Sequence, residues 1–456
     1  MSNQQVARIQ QAVENEGDAL RPDVDRASRF LADHGFQTVR VEWCDLHGLS
    51  RGKRMTRGNF LEAIEAGTPF SSAALFMDLE GTAYPPASQA APDSWVNIHA
   101  MLDLDTLQPY VIEPGSARCL ADLRTSDGRT AVPQCPRTAL KRVVRKGREM
   151  GLETSVRLEL EFYLLPGIID GRLPVGKHVY RMQSSREESQ FLDPLHRQLA
   201  LAGIAVEAVC AEDGPGQFEI ILHRGPPVAV ADAAHTARTL VKEMASRHGL
   251  VATFLSKPLA GCSGSGAHIH QSLWTPDGDP LFGHDQADGR VTFWQYLAGQ
   301  LRYFKEASAF YLPTINSYKR LALRQPEPLT ISWAYEARNV AIRVLSSRTG
   351  CLHIENRAVA GEANPYLSIA ASLACGFEGV RTDEDIPSLN SDPAPARPPL
   401  PHSLQEAIAA LDTSEVLRRW LGPELVDTFI ALKRSEIERF ETAITDWELK
   451  EYVTVL

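Results

Sequence analysis

The sequence predicts an α+β protein built on a curved, largely antiparallel sheet with helices on one side. Runs with apolar residues at every second position recur through the second part of the chain, as in "SVRLELEFYLLPG" and "AHIHQSLW". Long helical stretches lie between such runs and fill the C-terminal tail, and no repeat of fixed period is present.

In chain order, residues 1–22 read as a soluble helix or a loose arm, and residues 24–34 as a helix ending at "DHG". "QTVRVEWCDLHG" alternates as a half-buried strand, and the basic "SRGKRM" behind it reads as a turn. Residues 83–116 are rich in Pro and Ala, with short strand-like runs such as "YVIEPG". "TSDGRTAVPQCP" is turn chemistry, and it divides the chain into residues 1–130 and 131–456. The second part opens with a helix, "RTALKRVVRKGREMG", followed by the strand "SVRLELEFYLLPG". Next come a helix near Glu187 to Ala202, a strand at "IAVEAVCAE" and a turn into "GQFEIIL". A long helix over Val228 to His248 precedes strands at "LVATFLSK" and "AHIHQSLW". One helix over Val291 to Ala309 leads to strands "NVAIRVL" and "CLHIENRAV". The tail is helical from "ANPYLSIAASLACGFEGV" to about Glu451, interrupted by the Pro-rich "EDIPSLNSDPAPARPPLPHS".

The chain has 456 residues, enough for two or three domains. A formal charge of -10 argues against nonspecific nucleic-acid binding as its main task. The seven cysteines are scattered without a CxxC pair, which points to reduced thiols and a cytoplasmic protein. The N-terminus has no apolar h-region, and no apolar run is long enough to span a bilayer, so no membrane partner is expected.

Carboxylates stand at period two on several strands. Glu159 and Glu161 share a face of "RLELEF", and Glu212 and Glu219 flank the turn in "EDGPGQFE". Glu355 and Arg357 share a face of "HIENR", as His268 and His270 do in "AHIHQ". Taken singly, each has a plainer reading. Glu-Leu-Glu fits a solvated face, the second pair fits hairpin charges, and His268 fits a hydrogen-bonded core histidine. If the five glutamates converge, pairs ~6 Å apart repel by roughly 3 kcal/mol each at an effective dielectric of ~20. Such a cluster stays ionised only beside cations, and oxygen donors with one histidine suit Mg2+ or Mn2+. Arg320, Arg338, Arg343 and Arg357 add guanidinium forks for carboxylates or phosphates, or make ordinary surface pairs.

The motifs together resemble the glutamine synthetase superfamily over nearly the whole chain. They run from "VEWCDLHGLSRGKRM" through "RLELEFYLL", "EDGPGQFE", "KPLAGCSGSGAHIHQSL", "NSYKRL" and "NVAIRV" to "HIENRAVAGEANPYL". Their spacing is most similar to the branch of glutamate–amine ligases. The resemblance implies a small β-grasp-like N-terminal domain and a large catalytic domain. It implies ATP and two or three Mg2+ or Mn2+ ions, one held by Glu161, Glu212 and Glu219 and another by Glu159, His268 and Glu355. Arg343, His270, Ser272 and Glu207 match nucleotide contacts, and Gly264, Arg320 and Arg357 match glutamate contacts. Arg338 matches the arginine at the transferring phosphoryl group, and Glu327 the flap glutamate that takes a proton from the amine. A homo-oligomer of stacked hexameric rings, a dodecamer, is implied as well.

Two departures from the family pattern stand out. In "TPFSSAALFMD", Ser71 falls where ammonia-using members carry an aspartate that binds ammonium, and Asp78 is the nearest substitute. Leu352 and His353 replace a basic pair before "IENR". The substrates implied are therefore glutamate and a small amine, with an ammonia-dependent glutamine synthetase and a non-catalytic family oligomer as alternatives. Phe70, Leu75 and Phe76 point toward an alkyl or aryl amine, or belong to a core.

Overall fold

The computed structural model describes residues 22–86, 95–166, 179–180, 182, 186–283, 287–321, 328–346, 351–384 and 398–456. Residues 1–21 of the expected arm and most of the Pro-rich loop lie outside them. Among the described residues, no helix is long and apolar enough to cross a membrane.

Helix α1 (residues 22–33) leads into a five-stranded, β-grasp-like sheet. Its strands are β1 (Thr38–Cys44), β2 (Ser50–Thr56), β3 (Thr68–Ser71), β4 (Asn97–Pro109) and β5 (Ser116–Thr125), in the order β2-β1-β5-β4-β3. Helix α2 (Arg57–Ala66) connects β2 to β3. β1 and β5 pair in parallel, and the other pairs are antiparallel. The alternation of β1 buries Val39, Val41 and Trp43 against Phe60 of α2 and Ala117, Cys119 and Ala121 of β5.

Two local expectations are corrected here. "SRGKRM" is strand β2, not a turn, paired along its whole length with β1. It lies at the sheet edge and is mostly exposed, so no apolar alternation marks it. "YVIEPG" is the turn between β4 and β5, not a strand, closed by Gly115 at φ 80. Its Tyr110 and Ile112 are apolar because they sit in the core of the larger sheet.

That larger sheet has eight strands. After α3 (Pro136–Glu149) they are β6 (Glu153–Pro166), β7 (Val206–Ala211), β8 (Gln217–Leu222), β9 (Leu250–Thr253), β10 (Ala267–Trp274), β11 (Trp333–Tyr335), β12 (Ile342–Ser346) and β13 (Leu352–Asn356). The order is β11-β12-β13-β10-β6-β8-β7, with β9 also on β6, and among the described residues only β11–β12 is parallel. α4 (Arg186–Leu201), α5 (Pro227–Arg247), α6 (Ala287–Arg302), α7 (Phe304–Tyr311), α8 (Ile315–Leu321) and α9 (Pro365–Arg381) are followed by the C-terminal helices α10 (Leu404–Asp412), α11 (Glu415–Leu421), α12 (Pro423–Thr442) and α13 (Asp446–Tyr452). Leu158, Leu160 and Phe162 of β6, Ile220 of β8, Ile269 of β10 and Ile354 of β13 enter one core with Leu140 of α3, Leu240 of α5 and Leu367 of α9.

The sheet is curled, and its polar face is left free of that core. The helix expected over Val291 to Ala309 is two helices, broken at Tyr303. Strand β11 and helix α8 were not expected; three and seven residues are too short to show a period.

Candidate active site

Period two does the sorting on β6. Leu158, Leu160 and Phe162 face the helices, so Arg157, Glu159 and Glu161 face the hollow of the sheet. Register then aligns the neighbours. Glu159 lies opposite His268, Glu161 opposite Glu219, and His270 opposite both Arg157 and Glu355. Arg343 lies opposite Glu355 on the far side. Strand pairing alone thus brings together residues up to 198 apart in sequence.

His268 is at the centre. Its Nδ1 is 3.4 Å from Glu159 and 3.6 Å from Glu355, and its Nε2 is 3.6 Å from Glu161. His270 Nε2 lies 2.9 Å from Glu159. Arg343 reaches Glu355 at 3.2 Å, and Arg357 donates to the same carboxylate. Glu161 Oε2 accepts from the Gly266 amide at 2.8 Å, so the Gly-Ser-Gly turn presents a backbone donor to the cluster. Among the described residues, three groups of potential ligand atoms lie within 4.8 Å of one another: Glu159, His268 and Glu355; Glu161, Glu219 and His268; and Cys210, Glu212 and Glu219.

The electrostatics split the carboxylates. Burial, and then Glu161, pushes Glu212 up to about 7. Burial, and then Glu159 and Glu161, pushes Glu219 up to about 8. Burial also opposes the ionisation of Glu159 and Glu355, but His268 and its neighbours outweigh it and hold both below the usual carboxylate range. One side of the cluster is neutralised by imidazoles and guanidiniums. The other has too little positive charge of its own.

The donors fit divalent cations. His268 is buried and its Nε2 makes no hydrogen bond among the described residues, an arrangement that costs free energy unless something binds there. A ring nitrogen among carboxylate oxygens suits Mg2+ or Mn2+.

Glu212 and Glu219 bind protons more tightly in the folded chain, so the metal-free protein loses stability as pH rises from about 4.5 through about 8. A bound cation favours the ionised forms and reverses the loss. Thermal melts in EDTA are expected to fall between pH 6 and pH 8.5, with Mg2+ or Mn2+ restoring them. At 100 times Kd the gain is about 2.7 kcal/mol per site, or roughly 3 °C per site for a chain of this length. An equal metal-induced rise at both pH values would contradict the expected linkage.

Beside the cluster lies a cleft of about 260 Å³, lined on its polar side by Arg157, Glu207, His270, Ser272 and His353 and on its apolar side by Val156, Trp274 and Phe282 among others. It contains three of the four residues matched to nucleotide contacts. Burial, and then His270 and Arg157, lowers His353 to about 4, so this ring is neutral near pH 7 and does not replace the cationic pair.

Other expected residues fall as follows. Arg320 is 2% exposed and donates to the Val359 and Arg357 carbonyls. A Cβ on Gly264 would meet its Cγ at 2.5 Å, so glycine is required for that approach. The exposed Arg338 accepts from Arg357 through its carbonyl, and its guanidinium is pushed up chiefly by a hydrogen bond with Tyr180, with Glu355 and Glu212 adding to it. Ser71 belongs to the other sheet, on edge strand β3, where its hydroxyl accepts from the Ala73 amide. Glu327 lies outside the described residues. Asp78 is buried, accepts from the Glu80 and Thr82 amides and pairs with Arg439 of α12 at 3.2 Å. Leu75 and Phe76 are core residues of the N-terminal sheet, which leaves only Phe70 of the proposed apolar loop partly exposed.

Sequence reasoning missed three contributors. Arg157 bridges Glu207 at 3.1 Å and Glu159 at 2.7 Å, and its period-two position before Glu159 marked it. Gln217 donates to the Gly264 carbonyl at 2.8 Å and to Glu161 at 3.4 Å, and it lies inside the quoted "GQFE". Cys210 lies opposite Glu219, a placement that only the register reveals.

Fold and site together point to a class: an enzyme whose sheet-lined cleft carries carboxylates and imidazoles placed to suit divalent cations. Comparison with known proteins narrows it. Residues 133–452 match the model of the glutamine synthetase catalytic domain. Over 451 residues the chain is 32% identical to a glutamate–isopropylamine ligase of Pseudomonas sp, covering 94% of this chain and 97% of that protein. It is 29% identical to a glutamine synthetase of Thermotoga maritima, covering 94% and 99%. The solved structure of apo GmaS without ligand superposes with a TM-score of 0.82 at 28% identity, covering 93% and 99%. The chain belongs to the glutamine synthetase family, whose ligases use ATP and divalent metals.

Proposed function

We propose that this chain joins an organic amine to the γ-carboxylate of glutamate and converts ATP to ADP and phosphate through a γ-glutamyl phosphate. One observation carries the choice of an organic amine over ammonia. In the loop over residues 68–78, the only carboxylate is Asp78, which is occupied by backbone amides and Arg439. Ser71 offers no charge to capture ammonium, and its small side chain leaves room for a carbon substituent. The 32% identity to a glutamate–isopropylamine ligase points the same way.

In this mechanism Glu161, Glu212 and Glu219 hold one cation, and Glu159, His268 and Glu355 hold another. When bound, such ions neutralise phosphate charge that the cleft could not otherwise accept. Arg343, His270, Ser272 and Glu207 position the nucleotide. Arg320, Arg357 and the Gly264 backbone hold glutamate. A carboxylate is a poor acyl donor because it has no good leaving group, so its γ-oxygen first takes the phosphoryl group, with Arg338 offsetting the charge that spreads over it. The neutral amine then attacks the γ-carbon and phosphate leaves. Glu327 is assigned from the resemblance alone as the base that takes the amine proton. Ser71 would complete a neighbouring subunit's site in a ring oligomer, with residues 1–130 and 131–456 as the two units that meet there.

An ammonia-dependent glutamine synthetase is the second reading, favoured by the full-length Thermotoga relative. ADP release measured with ammonium, methylamine, isopropylamine, ethanolamine and a diamine separates the two. A short monoamine is expected to exceed ammonium in kcat/KM by at least ~10-fold, the scale of one or two added carbon contacts. Ser71→Asp is expected to narrow that gap. Saturation by low ammonium with no preference for an organic amine would establish the second reading instead.

A further inference from the structure

We infer that Cys210 is a sulfur donor to the cation held at Glu212 and Glu219, which makes that position receptive to thiophilic metals. The inference rests on the reading that these carboxylates hold cations, and it is independent of which amine is used. Register places Cys210 directly opposite Glu219, so both side chains leave the same face of the sheet. The Cys210 Sγ is 3.5 Å from Glu219 Oε2. Sγ and oxygens of Glu212 and Glu219 all lie within 4.8 Å of one another. Donors about 2.0 to 2.3 Å from a shared ion are at most ~4.5 Å apart, so small side-chain rotations complete the sphere. A second observation points to a ligand at the same carboxylate. His268 is 5% exposed, its Nε2 has no hydrogen-bond partner, and it groups with Glu219 and Glu161 within the same 4.8 Å limit.

The step is ligand exchange without redox. The thiol proton leaves to solvent as the sulfur–metal bond forms. Mg2+ gains little from sulfur, whereas Zn2+ and Co2+ gain much. The Glu159, His268 and Glu355 group contains no sulfur. The two positions therefore differ in softness, and Zn2+ is expected to displace Mg2+ from one of them selectively.

Co2+ titration of the full-length protein tests this. Wild type is expected to develop a near-ultraviolet sulfur-to-cobalt charge-transfer band that Cys210→Ser abolishes. The variant is expected to bind Zn2+ roughly 10–100-fold more weakly while keeping Mn2+ uptake by electron paramagnetic resonance. Co2+ uptake without that band overturns the role of Cys210 and leaves the cation reading standing. A band that survives in the variant overturns it too, because another thiol is then responsible. No uptake of Co2+ or Mn2+ by wild type overturns both. A second measurement needs no variant: Zn2+ is expected to protect Cys210 from iodoacetamide, followed by mass spectrometry, and equal labelling with and without Zn2+ overturns the assignment.

Discussion

Glu161→Gln is expected to stabilise the metal-free protein while lowering turnover by about 10²–10³-fold, the scale of losing one preorganised electrostatic contact. The two effects have opposite signs because one charge causes both. Glu161 helps push Glu212 and Glu219 upward. At 4.8 Å and an effective dielectric of ~20, one pair of ionised carboxylates repels by about 3 kcal/mol. Glutamine removes the charge but keeps an oxygen that can accept from the Gly266 amide, now 2.8 Å from Oε2. The fold therefore loses a repulsion and keeps its bond. The cleft loses the carboxylate proposed as a cation ligand, which faces the Nε2 of His268 at 3.6 Å. Melting in EDTA and turnover in Mn2+ are the two measurements. If Glu161 served only to brace Gly266 and Gln217, melting temperature and turnover would fall together.

Much of this arrangement was legible in the chain, for a physical reason. A strand fixes side-chain direction by parity, so Glu159 and Glu161, His268 and His270, and Glu355 and Arg357 could each be paired from spacing alone. Parity does not say which strands are neighbours. The placement of His268 beside Glu159, and of Cys210 beside Glu219, depends on pairings between strands far apart in sequence. The misread elements failed for related reasons. Strand β2 is an edge strand whose exposed residues need no apolar period, and the turn at Tyr110 to Gly115 is apolar because it plugs a distant core. Asp78 had the right chemistry for an ammonium site, but its commitment to Arg439 is a tertiary fact. Arg137 shows the same limit: in "CPRTALKRVV" it reads as one more helix-surface cation, yet it is 3% exposed.

Arg137→Met is expected to cost about 3–5 kcal/mol, the usual penalty for removing one partner from buried ion pairs. The guanidinium sits between the N-terminal sheet and helices α5 and α9. It donates to Asp103 of β4 at 2.7 Å and to Asp122 of β5 at 2.9 Å. It also takes Asp232 of α5 in a two-pronged contact at 2.8 Å per bond, and Asp232 accepts from the Tyr366 hydroxyl of α9 at 2.7 Å. Burial alone would raise Asp103, but Arg137 outweighs it and holds that carboxyl below its ordinary range. Methionine fills similar volume and leaves three carboxylates without the guanidinium, of which only Asp103 and Asp122 still face Lys141, whose side chain is 37% exposed. The resulting charge excess fixes the pH signature. Carboxyls stripped of their cation acquire raised folded pKa values, so the variant's deficit grows as pH rises above the unfolded carboxylate range and shrinks as pH falls into it. Urea melts at pH 5 and pH 8 are expected to show the smaller loss at pH 5. Adding Asp232→Asn to Arg137→Met is expected to recover at least ~1 kcal/mol, because it removes one uncompensated charge. Losses that simply add in the double variant, with no dependence on pH, would mean that the arginine contributes packing rather than charge balance at this junction.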